Sequence, residues 1–292
     1  MKKILSYSLL LAIISACTER IDITTDNATP RLAITGYITT ENGPHKVQVS
    51  RTVGYFGSEK PMVYANATVK INNVDLEYDQ TDGYYKTDKD FVGIPGETYK
   101  LEVWVDFNGD GTDEYYTAST TMPALVQLDS MSLRPMRANR PEGPPWVPFV
   151  HFMDVPGPNF YGAHLYINKF QYSSDLTRYF LNFFDDKAAE GQYINFPILE
   201  YWIREEIHWI NDEIIILRPG DTITIELNLL SPEYFEFLRT AKEELNGGNP
   251  LFAGPPANIP GNISGNILGV FGSYTVSRAH TILKSTPDFP SR

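Results

Sequence analysis

Short runs of alternating apolar and polar residues constrain this chain more than any other feature of its sequence. Thr98-Tyr99-Lys100-Leu101-Glu102-Val103-Trp104-Val105 is the longest of them. Successive side chains of an extended strand point to opposite faces of a sheet, so a period of two predicts a strand with one face buried. The alternation recurs in Leu32–Ile38, Lys46–Arg51 and Ala67–Ile71. Glu41-Asn42-Gly43-Pro44 follows the first run as a turn, and Asp82-Gly83 precedes Tyr84-Tyr85-Lys86-Thr87. No useful helical period interrupts these runs. Short strands at close spacing predict an all-β fold, with an Ig-like or transthyretin-like β-sandwich over residues 30–124.

Residues 125–285 predict a second, mostly antiparallel β domain. It opens with dense proline at Pro135, Pro141, Pro144, Pro145, Pro148, Pro156 and Pro158. Proline cannot donate to a sheet ladder or sit inside a helix, so 134–158 is expected to be a long loop. Strands resume at Ala163–Ile167 and Tyr179–Phe184. Glu213–Leu217 and Thr222–Leu227 flank Arg218-Pro219-Gly220-Asp221 and are expected to pair as a hairpin. One helix is predicted after Ser231, an N-cap residue, with Pro232 in the first helical position. Tyr234, Phe235, Leu238, Ala241 and Leu245 line its apolar face, and Gly247-Gly248 ends it. Ile198–Ile210 fits either a second short helix or a strand.

Lys2 and Lys3, the mostly apolar Ile4–Ile14 and the small residues Ser15 and Ala16 have the layout of a secretory leader, 1–16. Cys17 follows it directly and is the one cysteine of the chain. Ile14-Ser15-Ala16-Cys17 resembles the bacterial lipobox, which implies cleavage before Cys17 and lipidation of its thiol. Each buried methylene contributes ~0.8 kcal/mol, so two or more acyl chains anchor stably. Residues 17–29 are polar and without hydrophobic period, a flexible tether. Glu19, Asp22 and Asp26 behind the cysteine resemble the acidic surface-export signal of Bacteroidetes lipoproteins. With one cysteine there is no internal disulfide, so packing alone must hold the exported fold.

The formal charge of −12 argues against nucleic acid and anionic headgroups as partners, since both need clustered Lys and Arg. Tyrosine is abundant, at 18 residues beside 16 Phe, and suits both half-buried strands and binding surfaces.

Asp106, Asn108, Asp110, Asp113 and Glu114 lie in a loop that begins like the calcium pattern D-x-[DN]-x-[DN]-G. Alternating oxygens converge on the ion in that motif and glycine permits the turn. Thr117 stands where its bidentate Glu belongs, so Asp113 or Glu114 would have to close a shorter site. Calcium is the one cofactor the sequence suggests. The competing reading is a polar hairpin tip, because Asn-Gly and Asp-Gly form turns themselves. The five histidines show no metal-ligand spacing. Ser264 in Gly261-Asn262-Ile263-Ser264-Gly265 misses the nucleophile-elbow pattern by one residue. Asp129-Ser130-Met131 and Asp221-Thr222-Ile223 resemble the Bacteroidetes O-glycosylation sequon, with Ser130 and Thr222 as acceptors.

Two stretches carry a broader resemblance. Leu32–Thr39, Val47–Thr52, Ala67–Ile71, Gly83-Tyr84-Tyr85, Pro95–Leu101, Tyr116-Thr117-Ala118 and Met122-Pro123 form the first. Phe252, Pro255-Pro256, Gly261-Asn262-Ile263 and Gly269-Val270-Phe271-Gly272 form the second. Together they resemble the Bacteroidetes lipoprotein family of domain of unknown function 4249. The resemblance implies an outer-membrane or cell-surface lipoprotein, commonly encoded beside SusC-like TonB-dependent receptors and without established catalysis. The expected role is thus a non-catalytic accessory or substrate-capturing partner of such a receptor. An Ig-like adhesin or assembly subunit is the alternative, and a hydrolase with a site under the Pro-rich segment a third.

Overall fold

The computed structural model of the chain describes residues 29–53, 61–135, 146–168, 170–171, 183–187, 189–198, 207–210, 213–216, 219–245, 259–265 and 267–284. Cys17, the leader and nearly all of the tether lie outside the described residues, as do Pro141, Pro144 and Pro145. The fold is all-β with one helix among the described residues.

The first half runs β1 (Leu32–Thr39), β2 (Lys46–Arg51), β3 (Met62–Val63), β4 (Thr68–Ile71), β5 (Val74–Asp75), β6 (Glu77–Asp79), β7 (Tyr84–Lys86), β8 (Thr98–Val105) and β9 (Glu114–Thr121). The second runs β10 (Leu128–Pro135), β11 (Trp146–Met153), β12 (Phe160–Ile167), β13 (Phe170–Gln171), β14 (Phe183–Asp185), β15 (Tyr193–Pro197), β16 (Ile207–Ile210), β17 (Glu213–Ile216) and β18 (Thr222–Leu230). Helix α1 (Pro232–Leu245) and β19 (Leu268–Ile282) complete it.

Two large hydrophobic cores follow from the alternation, and a third, smaller cluster packs Tyr234, Phe235 and Leu238 of α1 with Leu230 and Val270. Leu32, Ile34 and Ile38 of β1 face Leu101, Val103 and Val105 of β8 inside the first. This core lies between the four-stranded sheet β5-β4-β8-β9 and one end of a ten-stranded sheet. The second core packs Ile223, Ile225, Leu227 and Leu229 of β18 against Val150 and Phe152 of β11, from the three-stranded sheet β10-β11-β15.

One ten-stranded sheet serves both cores, so the boundary expected near residue 124 is crossed by a continuous ladder. Its order is β13-β12-β18-β19-β1-β2-β7-β6, with β14 beside β12 and β3 beside β2. The joint is β19. Ala33–Thr39 pair with Leu268–Tyr274 in parallel, and Tyr274–Ile282 then pair with β18 antiparallel. Phe271 accordingly fills the first core while Ala279 packs on the second.

Two expectations are corrected here. The loop expected over 134–158 contains β11, in which Pro148 stands opposite Leu133 of β10. Proline lacks only its N–H, and Pro148 still uses its carbonyl to accept from Ile198. The expected hairpin across Gly220 is also absent. β17 pairs with β16, which resolves part of Ile198–Ile210 as strand, whereas β18 sits between β12 and β19. A strand buried on both faces gains more from two flanking strands than from one, and β18 is buried from Ile225 to Leu230. Helix α1 begins at Pro232 as expected. The Ser231 hydroxyl accepts the Ser273 N–H at 3.3 Å, and the Ser231 N–H donates to the Ser273 carbonyl, so this residue ties α1 to β19.

Candidate binding cleft

The face of the large sheet opposite the cores carries polar residues that alternation alone would assign to solvent. Glu226 on β18 stands opposite His164 of β12 on one side and Arg278 of β19 on the other. Its carboxylate is only 7 % exposed. Glu226 Oε2 accepts from Arg278 Nη2 at 2.6 Å, from Arg278 Nε at 2.9 Å and from the Tyr166 hydroxyl at 3.1 Å. The Asn228 amide donates to Oε1 at 3.1 Å. Arg278 also grips Glu41 with Nη1 and Nη2, each at 2.6 Å. A guanidinium held by two carboxylates is a charge-assisted, geometrically fixed unit.

Around this unit lies a cleft of 260 Å³, lined among others by Tyr37, Glu41, Lys46, Tyr166, Tyr274 and Arg278. Tyr37 is 41 % exposed. Its ring is backed by Tyr274 at 5.5 Å and by Tyr234 of α1 at 6.2 Å, and those two stack within 7° of parallel. At the other rim Lys46 pairs with Asp82 at 2.8 Å and lies over the Tyr84 ring.

The electrostatics follow from burial and pairing. Hydrogen bonding to Arg278 holds the Glu41 carboxyl below its usual range, and the same bonds push the guanidinium up. Burial, reinforced by Glu226, raises the Tyr166 phenol to about 12. Burial lowers His164 to about 4, and Gln171 Nε2 lies 3.1 Å from its Nδ1. An amide N–H directed at Nδ1 requires the neutral ring.

That histidine gives the protein an acid dependence with a defined sign. Unfolded His164 binds a proton near pH 6.5, whereas the folded ring resists it down to about 4. Stability is therefore complete above pH 6.5 and falls by about 1.4 kcal/mol per pH unit as pH drops towards 4. Urea midpoints from pH 7 to 4 will show this slope, and His164→Gln will flatten it. An unchanged slope in the variant would refute the assignment to His164; His45 and His151, both also lowered by burial, contribute to the slope that remains.

The residues singled out from sequence lie elsewhere. Asp106 accepts the backbone N–H groups of Gly109, Asp110 and Gly111 at 2.7, 3.1 and 2.9 Å. Glu114 accepts from the Phe107 N–H and the Asn108 amide, and Asp110 from the Thr112 N–H. Asp113 is exposed. These oxygens accept hydrogen bonds from the loop itself, as in an Asx turn. Among the described residues no three His, Cys, Asp or Glu side chains are placed to hold a metal ion. Ser264 extends the edge of β9: its hydroxyl accepts the Thr117 N–H and its own N–H donates to the Thr117 carbonyl, both at 2.8 Å. Ser130 is exposed on β10. Thr222 is half-buried, with its N–H donated to Asn168 Oδ1.

A family model, Domain of unknown function (DUF4249), matches residues 18–280. The chain belongs to this family. No curated protein and no solved structure matches it.

The segments through which the chain resembles DUF4249 proteins act here as scaffold. Asn262 Oδ1 accepts the Phe271 N–H at 2.9 Å while its amide donates to the carbonyls of Phe271 and Ser119. One side chain thereby bridges the four-stranded and ten-stranded sheets. Gly269 has φ +114°, and a Cβ there would stand 1.8 Å from the Ile34 carbonyl oxygen. The Tyr85 hydroxyl accepts from the Ala67 N–H and donates to the Tyr64 carbonyl, and the Gly96 N–H donates to Met122. Among the six cleft residues named above, only Tyr37 falls in those segments. The sequence signal missed for the rest was a Glu in β18 and an Arg in β19, 52 residues apart, with nothing local to join them.

Proposed function

We propose that this DUF4249 protein is an outer-membrane, surface-facing lipoprotein that captures a small ligand for a SusC-like TonB-dependent receptor without transforming it. The observation that carries the reading is the Glu41–Arg278–Glu226 unit in an open cleft. A glycosidase working across two carboxyls needs one kept protonated by a raised pKa. Here both share a guanidinium, and Glu41 is shifted the other way. Such a unit positions a ligand rather than moving protons. The leader and the lipobox ending at Cys17 support the tether, and no helix among the described residues is long and apolar enough to cross a membrane.

The full chain extracted from its native membranes in mild detergent is expected to co-purify with a β-barrel receptor. Repeated recovery of the chain alone sinks the partnership. Replacing Cys17 by Ser is expected to release the protein from the membrane fraction, and retention there would refute the lipid anchor.

A further inference from the structure

We infer that the cleft binds a neutral, polyhydroxylated ring: a sugar residue, or the end of a neutral saccharide chain. This rests on the capture reading above and names its ligand class.

Charge decides first. The lining holds Glu41 and Glu226 against Lys46 and Arg278. Arg278 is bound by both carboxylates, and Lys46 by Asp82 at 2.8 Å. An anion would find no uncommitted cation, and a cation would have to displace Arg278 from Glu41, where two bonds of 2.6 Å hold it. Exchanging such pairs costs desolvation that a new partner must recover. A neutral ligand leaves them intact.

The same pairs still offer hydrogen bonds. A carboxylate has about four acceptor sites, and a guanidinium five N–H donors. Arg278 engages four, through Nε, Nη1 and twice through Nη2, which leaves one on Nη1. Acceptors and a donor so fixed, side by side, match vicinal hydroxyl groups, each of which donates and accepts.

Shape decides next. Tyr37 presents an exposed ring immobilised by Tyr274 and Tyr234 behind it. A tyrosine face carries negative quadrupole density and attracts the polarised C–H face of a sugar ring, at little entropy cost when the tyrosine is already held. The 260 Å³ volume lies just under the range of about 300–1,000 Å³ for small-molecule sites, which suits one ring rather than a long chain.

The test is affinity electrophoresis of the full chain in a non-glycosidic detergent. Gels carry galactomannan, xyloglucan or dextran, with polygalacturonate and hyaluronate as charged comparators. Retardation by at least one neutral polysaccharide is expected. Tyr37→Ala should weaken it tenfold or more, Tyr37→Phe should retain it, and Glu226→Gln should weaken it, with circular dichroism confirming that each variant is folded. Retardation only by charged polymers, by none, or equally in Tyr37→Ala overturns the inference. Receptor co-purification without saccharide binding removes this inference alone, whereas saccharide binding without a receptor removes only the partnership.

Discussion

Replacing Gly269 by Ala is expected to cost at least about 3 kcal/mol of stability. Two penalties coincide there. A residue with a Cβ is strained at φ +114°, and that Cβ would stand 1.8 Å from the Ile34 carbonyl oxygen. The oxygen belongs to β1, so relief requires parting β1 from β19, the ladder that joins the two halves. Urea denaturation measures the loss, and a melting midpoint lowered by roughly 10 °C should accompany it. Gly96→Ala is the matched control. Gly96 has φ +86° but nothing within 4 Å of its added Cβ, so only the backbone strain remains. Equal losses in the two variants would disprove the close-approach explanation.

Glu226→Ala carries the second large effect, about 3 kcal/mol. The buried carboxylate accepts from Arg278, Tyr166 and Asn228, and its removal leaves the phenol and the amide without that acceptor. The Arg278 side chain is 42 % exposed and keeps Glu41, which holds the cost at the lower end for a broken buried pair. Glu41→Ala should cost under about 1 kcal/mol, because Glu41 is 45 % exposed and its loss is compensated by water. If chemical denaturation gives the two variants the same stability, Glu226 is not the anchor of the unit.

Much of the scaffold was legible in the sequence. The runs at Leu32–Ile38, Lys46–Arg51 and Thr98–Val105 became β1, β2 and β8 with the expected residues inward, because alternation records burial on one face directly. Helix α1 was legible through Ser231-Pro232 and its apolar spacing. β18 was legible as a strand but not in its partners. Pairing depends on which distant strands share its core, and its sequence neighbour β17 went to β16 instead. The Asp106–Glu114 loop was ambiguous for a related reason. The spacing of Asp106, Asn108 and Asp110 suits an ion and a self-capped turn equally, and in the structure the loop's own N–H groups bond the Asp106 carboxylate.

The sequence by itself determined that this chain is built from short strands with one helix, and that the residues leading to Cys17 resemble a secretory leader and a lipobox. Those properties are local, since periodicity and motif spacing are complete within a few residues. Only the tertiary structure decided that β19 joins both cores through a parallel pairing with β1. It alone set Glu41, Glu226 and Arg278 together, with Glu41 and Arg278 237 residues apart in the chain. A strand pattern specifies which face is buried and not which strand lies alongside, so a cleft assembled across five neighbouring strands leaves no mark on any one of them.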